Sequence, residues 1–446
     1  MRAHLKKPEK QVRRKTVGKI NHSLVGIEAL SVHVPLYCID LGEVARANRV
    51  DPNKYYIGLG QRQMAVAHPQ EDSVTMAANA ASKLLRLYSV HPEDIGMIVV
   101  GTETGVDASK PVAVYVHEML GLGPACRSFD IKHACYGSTA ALKTAALWAS
   151  SPLAQGRKAL VIATDIARYE IGSLAEPTQG AGAVAMIVGR EPRILSLFPS
   201  TDAVYSRQAM DFWRPNYSEV AIVDGHFSVE CYLDALRETY RMHREVSGIC
   251  WTDYRYLLFH LPFAKMGIKA HRMLMETFGV EGDVDLATWE STSLEKRVVP
   301  SLWGASEIGN TYCASLYLAL AGILESEESK AEGQSVGLYS YGSGSCAEFF
   351  SGSIGPDASA WSGRIGLSEG IASRIGIDYE TYLEFERECE ARSINGKREG
   401  MVQYGRPGEA VFLGVEQHRR YYLPPRDVVE QGKAPYRVQD DWALIS

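Results

Sequence analysis

The sequence predicts an α/β protein made of two similar halves, with a mainly parallel sheet covered by helices on both faces. Short apolar runs, typical of strands buried on both faces, alternate with helical patterns along the chain. Two helices of small, uncharged residues are predicted, one after Cys135 and one after Asn310. Gly-Ala-Gly at Gly180 and Gly-Ser-Gly at Gly342 occupy similar places late in each half. Chance recurrence of turns in a glycine-rich chain is the alternative explanation.

The composition is that of a large, mildly acidic globular chain. Its 446 residues, 46% hydrophobic and 22% charged, suffice for two domains or one duplicated core. The formal charge of −6 gives no reason to expect a nucleic-acid partner. We find neither an apolar stretch of membrane-spanning length nor the apolar core of a signal peptide. Eight cysteines without a CxxC pair argue against a zinc cluster and a disulfide framework, so we expect a cytoplasmic protein without a membrane partner.

The first half follows a basic tail. Residues 1–23 carry eight Lys or Arg side chains against a single acid and have almost nothing apolar to bury, which predicts a disordered tail. The first half is then predicted to cover residues 24–192. Its predicted strands are 25–32, 95–100 and 159–163, and its predicted helices are 75–87, 112–120 and 136–148.

The second half is predicted to cover residues 193–446. We expect a buried strand at 256–259, a small-residue helix at 309–320 and a charged helix near 379–392. The chain beyond about residue 355 is more polar and includes a tyrosine-rich, proline-terminated segment at 419–425. We expect this part of the chain to cover the second half rather than to form its own domain.

Cys135 stands where an apolar run ends and a helix of small residues begins. Lys143 is the only charged residue from Tyr136 to Trp148, so this helix should be buried on most sides. We expect Cys135 in the first turn, where unpaired N–H groups and the helix dipole favour the thiolate that attacks carbonyl carbons. The alternative is an inert cysteine of the core.

Two other reactive residues also follow predicted strands. Glu103 comes after the strand at 95–100, and His260 closes the strand at 256–259. Because ligands of parallel sheets bind beyond the carboxyl ends of strands, we expect both residues to converge with Cys135. A nucleophile, a carboxylate and an imidazole are the groups that acyl transfer with carbon-acid chemistry requires. Singly, Glu103 could cap a helix and His260 could be a hydrogen-bonded turn residue.

Nine blocks of sequence, taken together, resemble a known family. They are GTETGVDASK (101–110), ACYGSTAAL (134–142), ATDIARYE (163–170), EPTQGAGAVAMIVG (176–189), DFWRP (211–215), VDG (223–225), FHLPFAKMGIKA (259–270), GNTYCASLYL (309–318) and YSYGSGS (339–345). In content and order they are similar to the 3-hydroxy-3-methylglutaryl-CoA synthases of the thiolase superfamily, especially the bacterial ones. The resemblance covers about residues 25 to 350 and is absent from 1–23. It implies a five-layered αβαβα fold of two similar halves, usually a homodimer.

The resemblance also implies a reaction, the condensation of acetyl-CoA with acetoacetyl-CoA and water in the mevalonate pathway of isoprenoid biosynthesis. Cys135 would take the acetyl group as a thioester, and Glu103 would remove a proton from its methyl group. His260 would orient and polarise the ketone of acetoacetyl-CoA, with Asn310 helping to fix it. Burial at apolar strand ends would raise the pKa of a carboxylate base enough for this weak carbon acid.

Further substrate contacts are expected from the same resemblance. The family uses positions that correspond to Tyr169, Thr178, Ser228 and Ser343 around the substrate, and places coenzyme A phosphate on Lys265 and Lys269. A solvated helical face explains the two lysines equally well from sequence alone. Backbone N–H groups at Cys135 and in the turn 342–345 are the expected oxyanion donors.

Two other functions fit these residues. Relatives in polyketide assembly perform the same condensation on acyl groups bound to an acyl carrier protein, and the catalytic residues do not distinguish them. A non-catalytic acyl-binding homologue is the second alternative, although the presence of Glu103, Cys135 and His260 speaks against it. The twelve histidines lack HExxH-like spacing and neither glycine run precedes a P-loop lysine, so we expect no metal and no cofactor beyond the coenzyme A thioesters.

Overall fold

The structure, a computed structural model, describes residues 25–218, 220–280, 285–394 and 405–426. The predicted disordered tail, 1–23, lies outside these residues. The first half comprises β1 (Gly26–His33), β2 (Tyr37–Asp40), α1 (Leu41–Ala47), α2 (Asn53–Tyr56), β3 (Gln63–Val66), α3 (Ser73–Leu87), β4 (Ile95–Gly101), α4 (Val112–Met119), β5 (Arg127–Ile131), α5 (Gly137–Ser150), β6 (Lys158–Ala167) and β7 (Gly180–Gly189).

The predicted second half, 193–446, contains the remaining elements. These are β8 (Leu195–Leu197), β9 (Ala203–Ser206), β10 (Phe212–Trp213), β11 (Ile222–Val223), α6 (Gly225–Ser247), β12 (Tyr256–Phe259), α7 (Lys265–Phe278), α8 (Leu286–Arg297), α9 (Trp303–Ile308), α10 (Ser315–Glu327), β13 (Ser335–Gly342), β14 (Cys346–Ile354), α11 (Ser359–Ser362), α12 (Leu367–Ala372), β15 (Ile375–Gly376), α13 (Tyr379–Ile394), β16 (Val411–Glu416) and β17 (Arg419–Leu423). The predicted division at 192/193 falls between β7 and β8 and stays a prediction.

The large sheet repeats one strand order in its two halves. Nine of its ten strands run β12-β13-β14-β8-β1-β7-β6-β4-β5, and β9 pairs with β14. Outward from the centre, the order β1-β7-β6-β4 on one side corresponds to β8-β14-β13-β12 on the other. In both sets the outermost pair is parallel and the next two pairs are antiparallel. This repetition confirms the two similar halves, which an antiparallel pairing of β1 with β8 joins.

The prediction of a mainly parallel sheet is wrong. Among the described strands of the large sheet, only β12–β13, β4–β5 and β4–β6 pair in parallel. The cause lies in the connections, because the β6–β7 loop (168–179) and the β13–β14 turn (343–345) contain no crossover helix. A chain that returns without a crossover enters the sheet in the opposite direction.

Five layers follow from how the strands are covered. Along β6, Ala159 and Val161 face the apolar cluster that contains α5, whereas Leu160 and Ile162 face the cluster that contains α3. Helices α5 and α10 occupy the middle layer, where α5 contacts β4, β6 and β7 and α10 contacts β12 and β13. Helices α3 and α4 cover the outer face of the first half, and α6 covers β13 and β14. The buried strands β4, β6 and β12 confirm the predictions from apolar runs.

The C-terminal part of the chain departs from its prediction. Helices α11 and α12 pack on α10, but β15 pairs with β2 and α13 packs on α1. Phe412 and Tyr422 of the β16–β17 hairpin join the apolar cluster of α3 and α4. Much of the chain after residue 375 therefore covers the first half, because its aromatic side chains match the apolar outer surface there. No helix within the described ranges combines the length and apolar character that crossing a bilayer requires.

Candidate active site

Cys135 lies in a turn between β5 and α5. The preceding residue, Ala134, has a φ of 35° and so occupies the left-handed region that non-glycine residues rarely adopt. The same arrangement recurs in the second half, where Tyr312 has a φ of 44° and precedes Cys313. Each helix then begins two residues after its cysteine. The structural counterpart of Cys135 is thus Cys313, and not Asn310 as the position of the predicted helices suggested.

Residues from both halves of the chain hold the turn that contains Cys135. The Cys313 thiol donates a hydrogen bond to the Ala134 carbonyl over 2.9 Å, and the Ser138 hydroxyl donates to the Cys313 carbonyl over 2.5 Å. From the end of β13, Gly342 lies against Tyr136, where an added Cβ would stand 2.6 Å from the tyrosine Cβ. Only glycine leaves room at this position for the turn that contains Cys135.

The expected stabilisation of a Cys135 thiolate is contradicted. Helix α5 begins at Gly137, so Cys135 precedes its first turn. Burial, followed by the negative charges of Glu103, Asp165 and Asp211, raises the pKa of the Cys135 thiol well above its ordinary value. Burial and these negative charges therefore favour the thiol form of Cys135 over the thiolate.

Glu103 follows β4 and is held by an aspartate that the sequence reasoning did not single out. Asp165 accepts hydrogen bonds from the backbone N–H groups of Glu103 (2.9 Å) and Thr104 (3.0 Å), and from the hydroxyls of Thr102 and Thr104. Its second oxygen accepts the Cys313 N–H over 3.0 Å. Asp165 therefore ties the loop of Glu103 to the turn beside Cys135. Its position within the long buried strand β6 is the signal that could have revealed it.

The Glu103 carboxyl is buried, and within the described part of the chain its Oε1 has no hydrogen-bond partner. Burial and then the charge of Asp165 raise the pKa of Glu103 well above its ordinary value, while the Arg214 guanidinium lowers it. Arg214 also donates a hydrogen bond to the Glu103 carbonyl. A carboxylate with a raised pKa and an unpartnered oxygen is suited to accept a proton.

His260 follows β12, as expected, and is buried. Its N–H donates to the Tyr339 carbonyl, its carbonyl accepts from the Tyr232 hydroxyl, and both distances are 2.9 Å. The Ser315 hydroxyl at the start of α10 accepts the N–H of the next residue, Leu261. Burial lowers the pKa of His260 to about 3, so the imidazole is neutral and can donate a hydrogen bond without carrying charge.

The three predicted catalytic residues therefore lie at one edge of the fold. Glu103 and Cys135 are close enough for the carboxylate to raise the pKa of the thiol. His260 follows β12, which is parallel to β13, and β13 ends at Gly342 beside the turn that contains Cys135. Their catalytic roles stay predictions at this point.

Two predicted substrate residues lie near Cys135. Tyr169 belongs to a buried apolar cluster that also contains Cys135, Phe212 and Tyr312. Asn310 is buried, its Oδ1 accepts the Tyr312 N–H over 2.9 Å, and its N–H donates to the Thr178 carbonyl over 3.0 Å. The contact between Asn310 and Thr178 joins the two halves beside the apolar cluster.

The other predicted substrate residues are more exposed. Ser228, in the first turn of α6, is 3.4 Å from Asp211, and Ser343 lies in the β13–β14 turn. Lys265 begins α7, and its ammonium donates to the Ile57 carbonyl over 3.1 Å. Lys269 is exposed, with its ammonium 5.5 Å from the centre of the Phe263 ring.

Hydrogen bonds within the turn 342–345 limit which of its N–H groups can be oxyanion donors. One of the acceptors is Asp211, a second residue without a predicted role. Asp211 accepts the Gly344 N–H over 2.9 Å and the Tyr341 hydroxyl over 2.7 Å. The Ser345 N–H donates to the Arg207 carbonyl over 2.7 Å. The N–H groups of Gly344 and Ser345, two of the expected oxyanion donors, are thus already engaged in other hydrogen bonds. Both Asp211 and Arg214 belong to the block DFWRP, whose presence was the available signal.

Among the residues that the structure describes, no group of three or more His, Cys, Asp or Glu side chains could hold a metal ion.

The repeated strand order and the central pair of small-residue helices place the chain among the thiolase-like acyltransferases. Family models refine this class. The model described as hydroxymethylglutaryl-coenzyme A synthase N terminal matches residues 22–193, and its C-terminal companion matches residues 196–286 and 283–422. The chain belongs to the hydroxymethylglutaryl-CoA synthase family.

Individual relatives agree with the family models. The chain is 42% identical to a hydroxymethylglutaryl-CoA synthase of Enterococcus faecalis over 74% of this chain and 83% of that protein. It is 33% identical to the polyketide biosynthesis 3-hydroxy-3-methylglutaryl-ACP synthase PksG of Bacillus subtilis, over 85% and 90%. A structure of MvaS in complex with 3-hydroxy-3-methylglutaryl coenzyme A is similar with a TM-score of 0.83 and 41% identity, covering 90% of this chain and 99% of MvaS.

Proposed function

We propose that the protein condenses acetyl-CoA with acetoacetyl-CoA and water to give 3-hydroxy-3-methylglutaryl-CoA and coenzyme A. The observation that carries this proposal is the juxtaposition of the buried Glu103 carboxyl group with the buried Cys135 thiol. Membership of the synthase family supports it. The greater identity to the Enterococcus synthase than to PksG favours free coenzyme A thioesters over carrier-bound acyl groups.

In the first step the Cys135 sulfur attacks the acetyl-CoA carbonyl. A carbon–sulfur bond forms to Cys135, the bond to coenzyme A breaks, and the thiol proton passes to the leaving coenzyme A sulfur. The N–H groups of Cys135 and Ser343 are the proposed donors to the oxyanion, since Gly344 and Ser345 use theirs elsewhere. One such donor is typically worth about 3 kcal/mol in the transition state.

In the second step Glu103 removes a proton from the methyl group of acetyl-Cys135. The enolate carbon attacks the ketone of acetoacetyl-CoA, and neutral His260 donates a hydrogen bond to the ketone oxygen as it gains charge. The oxygen takes up the proton that Glu103 removed, which restores the Glu103 carboxylate. Water then cleaves the thioester, with its hydroxyl group going to the acyl carbon and its proton to the Cys135 sulfur. A raised pKa suits Glu103 to this role because a stronger base removes a carbon-bound proton more readily.

The other predicted substrate residues complete the proposal. Asn310 would help to fix the acetoacetyl group, and Tyr169, Thr178 and Ser228 would line the acyl site. Lys265 and Lys269 would meet the coenzyme A phosphates, a role for which their cationic side chains are suited.

We also propose the oligomeric state and the compartment in which the protein functions. A homodimer that functions in the cytoplasm fits the family resemblance, and eight scattered cysteines without a CxxC pair fit a reducing compartment. The steps use side chains and thioesters alone, without a further cofactor.

Mass spectrometry after incubation with acetyl-CoA alone tests the first step. We expect an acetyl group on Cys135 in the wild type and none in Cys135→Ser. Glu103→Gln should retain acetylation of Cys135 but lose condensation with acetoacetyl-CoA. If a folded wild-type sample takes acetyl from an acetylated carrier protein but not from acetyl-CoA, the assignment to coenzyme A thioesters is wrong.

A further inference from the structure

Helix α13 lies about 200 residues along the chain from the β6–β7 loop (168–179), yet it reaches that loop. Three side chains on one face of the helix make the contacts: Tyr379, Tyr382 and Glu386. Residues three and four apart share a helix face, so one surface of α13 is directed at the loop. The loop matters because it carries Tyr169 and Thr178 beside the proposed acyl site.

The central contact runs through Gln179. The Gln179 Nε2 donates to the Tyr382 hydroxyl over 2.8 Å, and the Gln179 Oε1 accepts the Tyr169 N–H over 2.6 Å. Because a backbone N–H must bond to the oxygen of the amide, the orientation of the Gln179 side chain is fixed and its nitrogen faces Tyr382. The side chains of Tyr382 and Gln179 are buried, so water cannot replace a lost bond without rearrangement.

Tyr169 carries this contact to the nucleophile. Its ring centre is 6.2 Å from that of Phe212 and 6.5 Å from that of Tyr312, in the cluster that contains Cys135. A single amide side chain thus connects a helix from the last part of the chain to the wall of the nucleophile pocket.

Two further contacts hold the loop. The Tyr379 hydroxyl donates to Glu176 over 3.1 Å, and this buried carboxylate also accepts from Asn48 and from the Gly172 N–H. At the start of the loop, the Arg168 guanidinium lies 3.3 Å from Glu386. Helix α13 therefore contacts the loop near both of its ends.

We propose that α13 positions the acyl site, and that Tyr382 is a positioning residue that acts through Gln179 on Tyr169. This inference rests on the synthase function proposed above. Loss of the Tyr382 hydroxyl would leave the Gln179 nitrogen unpaired, so the amide would turn or solvate and release the Tyr169 N–H. The wall of the pocket would then be less ordered while the helix itself stays packed.

The test uses Tyr382→Phe in the full chain, with Tyr88→Phe as the matched control. Tyr88 is also a buried tyrosine with a hydroxyl hydrogen bond, to the Leu30 carbonyl over 3.0 Å, but it does not contact the loop. Hydrogen exchange without substrate should rise in peptides from 168–179 for Tyr382→Phe only. The KM for acetyl-CoA in acetylation of Cys135 should rise about three- to tenfold, with a smaller change in kcat, since one net hydrogen bond is lost.

The exchange and acetylation measurements separate this inference from the proposed function. A wild type that is never acetylated would refute the function, while exchange would still show whether α13 orders the loop. Unchanged exchange at 168–179, or increased exchange with an unchanged KM, would overturn the positioning role of Tyr382. If Tyr382→Phe fails to fold, Tyr379→Phe on the same face should give the same pattern through Glu176.

Discussion

Two neighbouring charges act in opposite directions on the pKa of Glu103, and their balance sets the pH range in which it can act as a base. Asp165 raises its pKa and Arg214 lowers it, in addition to the larger effect of burial. A base must be ionised to accept a proton, so activity is lost as the pH falls through its pKa. Any change that raises this pKa moves the loss to higher pH.

Arg214→Met tests this balance. Removing the cation disfavours the ionised carboxylate, so the acidic limb of the pH profile of kcat/KM should move to higher pH. Condensation at neutral pH should fall, roughly tenfold if Glu103 is the base. Arg207→Met is the control, because the Arg207 side chain bonds to Cys231 rather than to Glu103. A profile that keeps its acidic limb in Arg214→Met would argue against Glu103 as the titrating base.

Among the elements, the end of β13 has a steric requirement that bears directly on the turn at Cys135. Gly342 leaves no room for a side chain, since an added Cβ would stand 2.7 Å from the Tyr136 N and 2.8 Å from the His133 carbonyl oxygen. These atoms are backbone and cannot rotate away. The end of one strand therefore fixes the position of a turn that belongs to the other half.

Gly342→Ala should displace that turn. We expect a loss of unfolding free energy of about 1–3 kcal/mol, as for other overpacked sites, and slower acetylation of Cys135. Chemical denaturation and the acetylation rate are the measurements. Gly363→Ala provides the comparison, because a Cβ there would meet nothing within 4 Å, and it should leave both quantities almost unchanged.

Elements that depend on local pattern could be predicted from the sequence, and contacts between distant segments could not. The apolar runs of β4 and β12 and the small-residue helix α5 follow directly from the order of residues. Strand direction depends on whether a connection contains a crossover, which apolar runs do not reveal. The thiol pKa of Cys135 depends on carboxylates that only the fold brings near, and the bond between Gln179 and Tyr382 leaves no local pattern.

In the whole molecule, the last part of the chain closes over the first half. Phe412 and Tyr422 pack into the cluster of α3 and α4, and the Tyr422 hydroxyl donates to Asp72, the N-cap residue of α3, over 2.7 Å. The hairpin thus stabilises the same helix that covers β1, β6 and β7.

Phe412→Ala should therefore weaken the first half in particular. A buried phenylalanine replaced by alanine typically lowers the unfolding free energy by about 3–5 kcal/mol. Hydrogen exchange should increase in α3 and α4 before it increases in α6 or α10. Leu423→Ala, in the same hairpin but 41% exposed, should have little effect. Equal increases in all four helices would contradict the specific contact with the first half.

The short ladder between β1 and β8 has a consequence for any attempt to divide the protein. Gly26 pairs with Ser196 and Ile27 with Leu195, and these pairs join the two halves of the sheet. A chain cut between the halves would expose two unpaired apolar edges, which invite aggregation. Each fragment would also lack residues that build the turn around Cys135. We expect the two pieces to aggregate when expressed separately and co-expression of both to be required for acetylation of Cys135, so that a division at this seam would make acetylation report the association of the two halves.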